Sequence, residues 1–244
     1  MRAWVTGWIM ATMALTTHGE AKEPVADGRP TVVALGSSTT ARRNGIKQVY
    51  EQRLATLFPQ VRMVNAGVPG DTTERARARF ERDVLAHHPN LVIIQLGAND
   101  SAIDVWKNAT KPRVSPERYE ENLRHFIAEL RQRNCQVILM TAGMFRWTDK
   151  LRAMYGKPPY QPDQPDGFCV TLRPYADIVR RLAAKEKLPL VDILAAHEQY
   201  DAKPGQSADA LFLDGMHPND EGHALVAQLL APVVRKALRL PAED

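Results

Sequence analysis

The sequence predicts an α/β protein: a three-layer α/β/α sandwich on a five-stranded, mostly parallel sheet in the flavodoxin-like order 2-1-3-4-5. Two patterns carry that expectation. Five short apolar runs, residues 31–35, 61–65, 91–96, 136–141 and 188–193, are rich in Val, Ile and Leu and lack strict alternation with polar residues. Strands buried on both faces of a parallel sheet read that way. Longer segments with helical spacing separate the runs, and strands that alternate with helices wind into a layered parallel sheet.

The spacers justify the helices in turn. Residues 46–58 place Ile46, Val49, Leu54, Leu57 and Phe58 at helical spacing. The stretch around Arg75, Arg77, Arg79 and Arg82 alternates charge and reads as a solvated helix face. Residues 116–133 follow Ser115, a good N-cap, with Pro116 at the first helical position. Tyr119, Leu123, Phe126, Ile127 and Leu130 then form one stripe. Residues 173–187 repeat the pattern with Tyr175, Ile178, Val179 and Leu182, and residues 219–238 form the last helix. Two stretches break the rhythm, 101–115 and the proline-rich 144–171. Both follow the carboxyl ends of expected strands, the edge where open α/β sheets bind ligands, so both are expected on the substrate side.

The chain has 244 residues, 44% of them hydrophobic and 25% charged, enough for one domain with a substantial core. Net charge is a mild +4 without a basic stripe, which argues against a nucleic-acid partner. Arg2, the apolar residues 5–15 and the small residues Gly19 and Ala21 fit a secretory signal peptide over residues 1–21. That apolar run is too short for an integral membrane span. Residues 22–30 read as a linker and 31–240 as the catalytic domain of a secreted or periplasmic protein. Cys135 and Cys169 could pair in an oxidising compartment or stand as two buried thiols.

Four segments carry the chemistry. Gly36-Ser37-Ser38-Thr39 follows the first strand, where a turn into a helix would expose a hydroxyl and set a helix N-terminus beside a developing oxyanion. Asn65-Ala66-Gly67-Val68-Pro69-Gly70-Asp71 follows the second strand, and Gly67 could offer a backbone N–H without a Cβ in the way. Gly97-Ala98-Asn99-Asp100 follows the third, with the Asn99 carboxamide as a donor and Asp100 ordering the turn. Asp214-Gly215-Met216-His217 precedes the last helix, with an acid placed to orient an imidazole base. Each segment alone also reads as an ordinary turn or cap.

Taken together, in the chain order Ser, Gly, Asn, Asp, His, the segments resemble the SGNH hydrolase superfamily, the GDSL-type esterases and lipases, over about residues 31–235. The resemblance implies Ser38 as nucleophile, His217 as base and Asp214 as the acid orienting it. It implies an oxyanion hole from the Ser38 and Gly67 amides and the Asn99 side chain, and no metal or cofactor. The family's Gly-Asp-Ser is here Gly-Ser-Ser, with Ser37 in place of the Asp.

The substrate class it implies is a carboxylic ester. Polar, aromatic-bearing loops favour an acetylated glycan over the alternatives of a lysophospholipid or a broad range of short-chain esters. A carbohydrate-binding domain without catalysis and a metal hydrolase using Asp214, His217 and His223 are alternatives of other classes. Trp106, Trp147 and Tyr160 could line the acyl or sugar site or simply pack. His87 and His88 look like a helix end, His197 like a surface-loop residue, and His223 like a helix-surface or core residue.

Overall fold

The computed structural model describes residues 28–241. The signal-peptide reading of residues 1–21 and most of the linker fall outside the described residues. The sheet consists of β1 (Thr31–Gly36), β2 (Arg62–Gly67), β3 (Leu91–Gln95), β4 (Gln136–Met140) and β5 (Leu190–Val191), in the order β2-β1-β3-β4-β5. All four pairings are parallel. The register aligns Gly36 with Gly67 and Gln95, Gln95 with Met140, and Met140 with Val191, so the loops that follow all leave one edge.

Alternate residues of each strand face opposite layers. Val33, Leu35, Val92, Ile94, Val137 and Leu139 pack under α2 (Thr73–Asp83), α3 (Pro116–Gln132) and α5 (Arg173–Glu186). Val32, Ala34, Leu91, Ile93, Ile138 and Met140 pack under α1 (Tyr50–Leu57) and α7 (Asp220–Ala237). The expected sandwich and strand order are therefore observed, and every strand pair is parallel. The cap on α3 is also observed: the Ser115 side chain accepts the Arg118 N–H.

Four local differences have identifiable causes. The first helix starts at Tyr50 rather than at 46, because the Lys47 and Gln48 amides donate to Asp220 at 3.0 and 3.2 Å and Gln52 takes the Val49 N–H. The last strand stops at Val191 because Asp192 turns the chain into α6 (Ile193–Asp201), accepting the Ala195 N–H at 3.1 Å. The irregular stretch 144–171 contains α4 (Asp149–Tyr155), capped by Thr148. Arg79 of α2 is buried rather than on a solvated face.

His197 and His223 are both core residues, on α6 and α7. Each accepts a backbone N–H at Nδ1, His197 from Met144 at 3.3 Å and His223 from Tyr50 at 3.2 Å. Protonation would turn either acceptor into a donor facing a donor. Burial is the main cause that lowers both pKa values to about 4, with Arg146 adding to it near His197 and Arg53 near His223. Unfolding returns each to its ordinary value near 6.5, so the unfolded chain takes up protons that the folded chain refuses. The histidine contribution is therefore present above pH 6.5 and lost as pH falls toward 4, by roughly 3 kcal/mol each.

Buried Asp100, raised to about 6 mainly by desolvation, acts in the opposite sense and offsets about one histidine's share. These three groups together should contribute a loss of roughly 3 kcal/mol between pH 7 and pH 4, read by urea unfolding of the wild type against their variants. His197→Asn and His223→Asn should each flatten that slope. Unchanged slopes in both variants would remove the histidines from the account.

Candidate active site

The first turn after β1 fixes Ser38. The amides of Thr40 and Ala41 both return to the Ser37 carbonyl, at 3.1 and 2.9 Å, making a single tight turn. The side chains of Thr39 and Thr40 hydrogen-bond Gln95 Oε1 at 3.2 and 3.4 Å, which ties the turn to the end of β3. The expected helix N-terminus beside Ser38 is not there, since α1 begins only at Tyr50.

A second tight loop, before α7, presents His217. The Leu213 N–H reaches the His217 carbonyl at 2.8 Å and closes the loop around Asp214. The Asp214 carboxylate accepts the backbone amides of Met216 and His217, at 3.2 and 3.0 Å. Its two oxygens lie 2.9 and 2.8 Å from His217 Nδ1. Burial alone would raise the Asp214 pKa, but the His217 hydrogen bond and the two amides outweigh it and hold the carboxyl below its ordinary value. A carboxylate at Nδ1 demands a proton there, which leaves Nε2 as an acceptor. Nε2 lies 2.9 Å from Ser38 Oγ, across 179 positions of chain. The hydroxyl proton thus has a direct path to the imidazole.

The loop after β2 contributes differently from the sequence expectation. The Gly67 N–H is taken by Asn65 Oδ1 at 3.0 Å. A Cβ on Gly67 would stand 2.4 Å from the Ala41 nitrogen, so this glycine serves the close approach of the Ser38 turn to β2. Gly67 lines no part of the cleft that holds Ser38, so its assignment to the oxyanion hole is corrected. Gly70, three positions on, does line that cleft with Ser38, Asn99 and His217. It sits at φ 80° in a turn closed by the Asp71 N–H on the Val68 carbonyl at 3.1 Å, a conformation that suits glycine. The amides of Ser38 and Gly70 donate to no other described residue.

Asn99 is held by both ends of its carboxamide. Its Nδ2 donates to the Asp71 carbonyl and its Oδ1 accepts Arg113 Nη1, each at 3.0 Å. Behind it, buried Asp100 accepts the Thr73 amide at 2.8 Å, the Thr73 hydroxyl at 2.6 Å and the Gly97 amide at 3.2 Å. Asp100 therefore joins the Asn99 turn to the start of α2.

The chain matches the GDSL-like lipase/acylhydrolase family over residues 34–225. It belongs to that family. The lipoprotein YqeF of Bacillus subtilis is 35% identical over 175 residues, 68% of this chain and 71% of that protein. The acetylxylan esterase of Geobacillus stearothermophilus is 28% identical over 220 residues, covering 88% of this chain and 87% of the relative. Among solved structures, the lipase/acylhydrolase of Enterococcus faecalis superposes with a TM-score of 0.65 at 25% identity, over 88% of this chain and all, 100%, of that one. This GDSL-like chain is thus an ester hydrolase of the SGNH superfamily.

The cleft of this GDSL-like hydrolase has a volume of about 470 Å³. Phe145, Tyr155, Tyr160 and Phe168, from the 144–171 stretch, supply its aromatic wall. Of Trp106, Trp147 and Tyr160, Tyr160 lines the cleft. Trp147 stacks on Phe168 at 4.5 Å and serves packing, and Trp106 lies exposed in a 3₁₀ turn outside the lining. Tyr155 and Phe168 belong, with Trp147 and Tyr160, to the aromatics of the stretch expected on the substrate side, whereas Phe145 has no sequence signal beyond its place in it.

Asp214, His217 and His223 do not form a metal set, because His223 is committed to the Tyr50 amide in the core. No group of His, Cys, Asp and Glu suited to a metal exists among the described residues. Cys135 and Cys169 are free and buried, and burial pushes their thiols up to about 12 and 11. Among the described residues no helix is long and apolar enough to cross a membrane.

Proposed function

We propose that the chain removes short acyl groups, acetate above all, from carbohydrate esters by way of an acyl-enzyme on Ser38. The observation that carries this reading is the continuous hydrogen-bonded path from Ser38 Oγ through His217 to Asp214, with Ser38 and His217 lining the cleft. In this mechanism Ser38 Oγ attacks the ester carbonyl carbon while its proton passes to His217 Nε2. The amides of Ser38 and Gly70 and the Asn99 carboxamide receive the oxyanion. The tetrahedral intermediate expels the alcohol, which leaves with the proton from His217. Water, deprotonated by the same imidazole, then attacks the acyl-enzyme, and His217 returns that proton to Ser38 Oγ as the acid is released. Asp214 keeps His217 in the required tautomer and stabilises the imidazolium.

A small recess favours a short acyl group. Thr39, Ala98, Phe145 and Met216 border both the cleft and a recess of about 20 Å³ behind it. That space accommodates about one water-sized group. The aromatic wall offers faces on which a sugar ring can lie, and the acetylxylan esterase relative points the same way. Export, from the signal-peptide reading of residues 1–21, is part of the same proposal.

A substrate panel tests it. Acetate release from acetylated oligosaccharides should exceed fatty-acid release from lysophospholipids by at least about tenfold in kcat/KM. The reverse order would assign the cleft to lipid esters instead.

A further inference from the structure

Among the described residues the cleft carries one cation without an ion-pair partner. Arg43, on the segment between the Ser38 turn and α1, lines the same cleft as Ser38 and His217. Its Nη1 is buried and has no hydrogen-bond partner. Buried donors of this kind are almost always satisfied, and a charged one left bare calls for an explanation. Nearby arginines are satisfied: Arg42 pairs with Glu51 at 3.3 Å, and Arg53 with Asp220 at 3.4 Å. Arg113, the other arginine in the cleft lining, pairs with Asp104 at 2.8 Å and also holds Asn99. The lining itself includes no Asp or Glu. A guanidinium on the wall of a cleft whose described lining holds no carboxylate lacks its counter-ion.

We propose that Arg43 recognises a carboxylate on the ester substrate, so that the enzyme selects acidic acylated compounds, an acetylated uronic acid unit being the fitting glycan. A guanidinium binds a carboxylate through paired N–H···O contacts, which gives direction as well as attraction. Partial burial of the guanidinium strengthens that contact relative to a fully solvated surface arginine. The proposal rests on the ester-hydrolase reading above and adds the charge of the substrate to it.

The test compares substrate pairs in which a carboxylate replaces one neutral group. One pair varies the alcohol, an O-acetylated methyl glucuronide against the O-acetylated methyl glucoside. The other varies the acyl group, the p-nitrophenyl ester of succinate against that of butyrate. In the wild type, kcat/KM should favour the charged member of one pair at least tenfold, and the preference should shrink as salt rises. The pair that shows it locates the carboxylate on the alcohol or the acyl side.

R43Q should bring the ratio close to one by raising KM for the charged ester, and R43K should restore part of it. The ratio is read on one sample, so a partly unfolded variant does not distort it. Calorimetric binding of free glucuronate against glucose reads the same contrast without turnover. A wild-type ratio near one in both pairs, or a ratio untouched by R43Q, overturns the role of Arg43 and leaves the esterase reading standing. Absence of Ser38-dependent turnover of every ester overturns that reading itself, while the calorimetric contrast still decides whether Arg43 binds a carboxylate.

Discussion

Ser38→Ala is expected to lower kcat for p-nitrophenyl acetate by at least about 10⁴-fold, because it removes the atom that attacks and the proton that His217 is placed to accept. The neighbouring hydroxyl cannot substitute. Ser37 is only 2% exposed and is absent from the cleft lining, whereas Ser38 faces His217 Nε2. Ser37→Ala should therefore retain kcat within about tenfold, although it stands where the family usually has an aspartate. His217→Ala should match Ser38→Ala, and the double variant should be little worse than either, since the two act as one unit. Asp214 is 44% exposed, so water can replace part of its support for the imidazole, and Asp214→Ala should cost less than loss of His217. Steady-state rates on purified, folded variants decide the matter. A Ser38→Ala enzyme keeping more than about 1% of wild-type kcat would leave the proposed nucleophile without support.

Residue pattern alone exposed the frame of the molecule for a simple reason. Val32, Val33, Ile93, Ile94, Ile138 and Leu139 are buried on both sheet faces, so their strands are uninterruptedly apolar. Helices α3 and α7 announce their starts through Ser115-Pro116 and Asn219, whose side chains do cap them. Helices α4 and α6 were hidden because they are short and lie next to strand or loop signals. For α6 the clue was Asp192 just before Ile193, an N-cap inside what reads as a strand. His197 then falls in the core rather than in a surface loop.

The site was legible to a different depth. The segments holding Ser38, Asn99 and His217 stand out because turns at strand ends are polar while the strands are not. The choice between Gly67 and Gly70 was not available from the chain, since both occur in one turn-rich segment. What separates them is the Asn65 side chain, which occupies the Gly67 amide, and the approach of Ala41 to the Gly67 Cα. Both are facts of packing. The aromatic wall was similarly concealed: Trp147 stacks on Phe168 and stays out of the lining, which Phe145, Tyr155, Tyr160 and Phe168 supply.

Arg79 shows most clearly how tertiary partners override a charge pattern. In sequence it belongs to a run of arginines and glutamates that reads as solvated. In the structure its guanidinium spans both strands that lead into the site, donating to the Ala66 carbonyl at 2.8 Å and the Gly36 carbonyl at 3.3 Å. It also pairs with Asp71 at 2.6 Å and Asp83 at 3.1 Å. The Asp71 side chain is 4% exposed, so Arg79 supplies the contact that offsets its removal from water.

Arg79→Met should therefore destabilise the protein by about 3–5 kcal/mol, the usual result of leaving one member of a buried ion pair behind. That is a large share of the roughly 5–15 kcal/mol that holds a domain folded. Arg79→Lys should recover little, because one ammonium cannot reach two carbonyls and two carboxylates from the same position. Converting Asp71 as well, in Arg79→Met with Asp71→Leu, should restore part of the loss by removing the stranded carboxylate. Activity should fall with Arg79→Met even in the folded fraction, since the Asp71 carbonyl holds Asn99 and Asp71 adjoins Gly70. Urea unfolding of the single and double variants measures the first effect and kcat at low temperature the second. A loss below about 1 kcal/mol would return Arg79 to the solvated face that its sequence neighbours suggest.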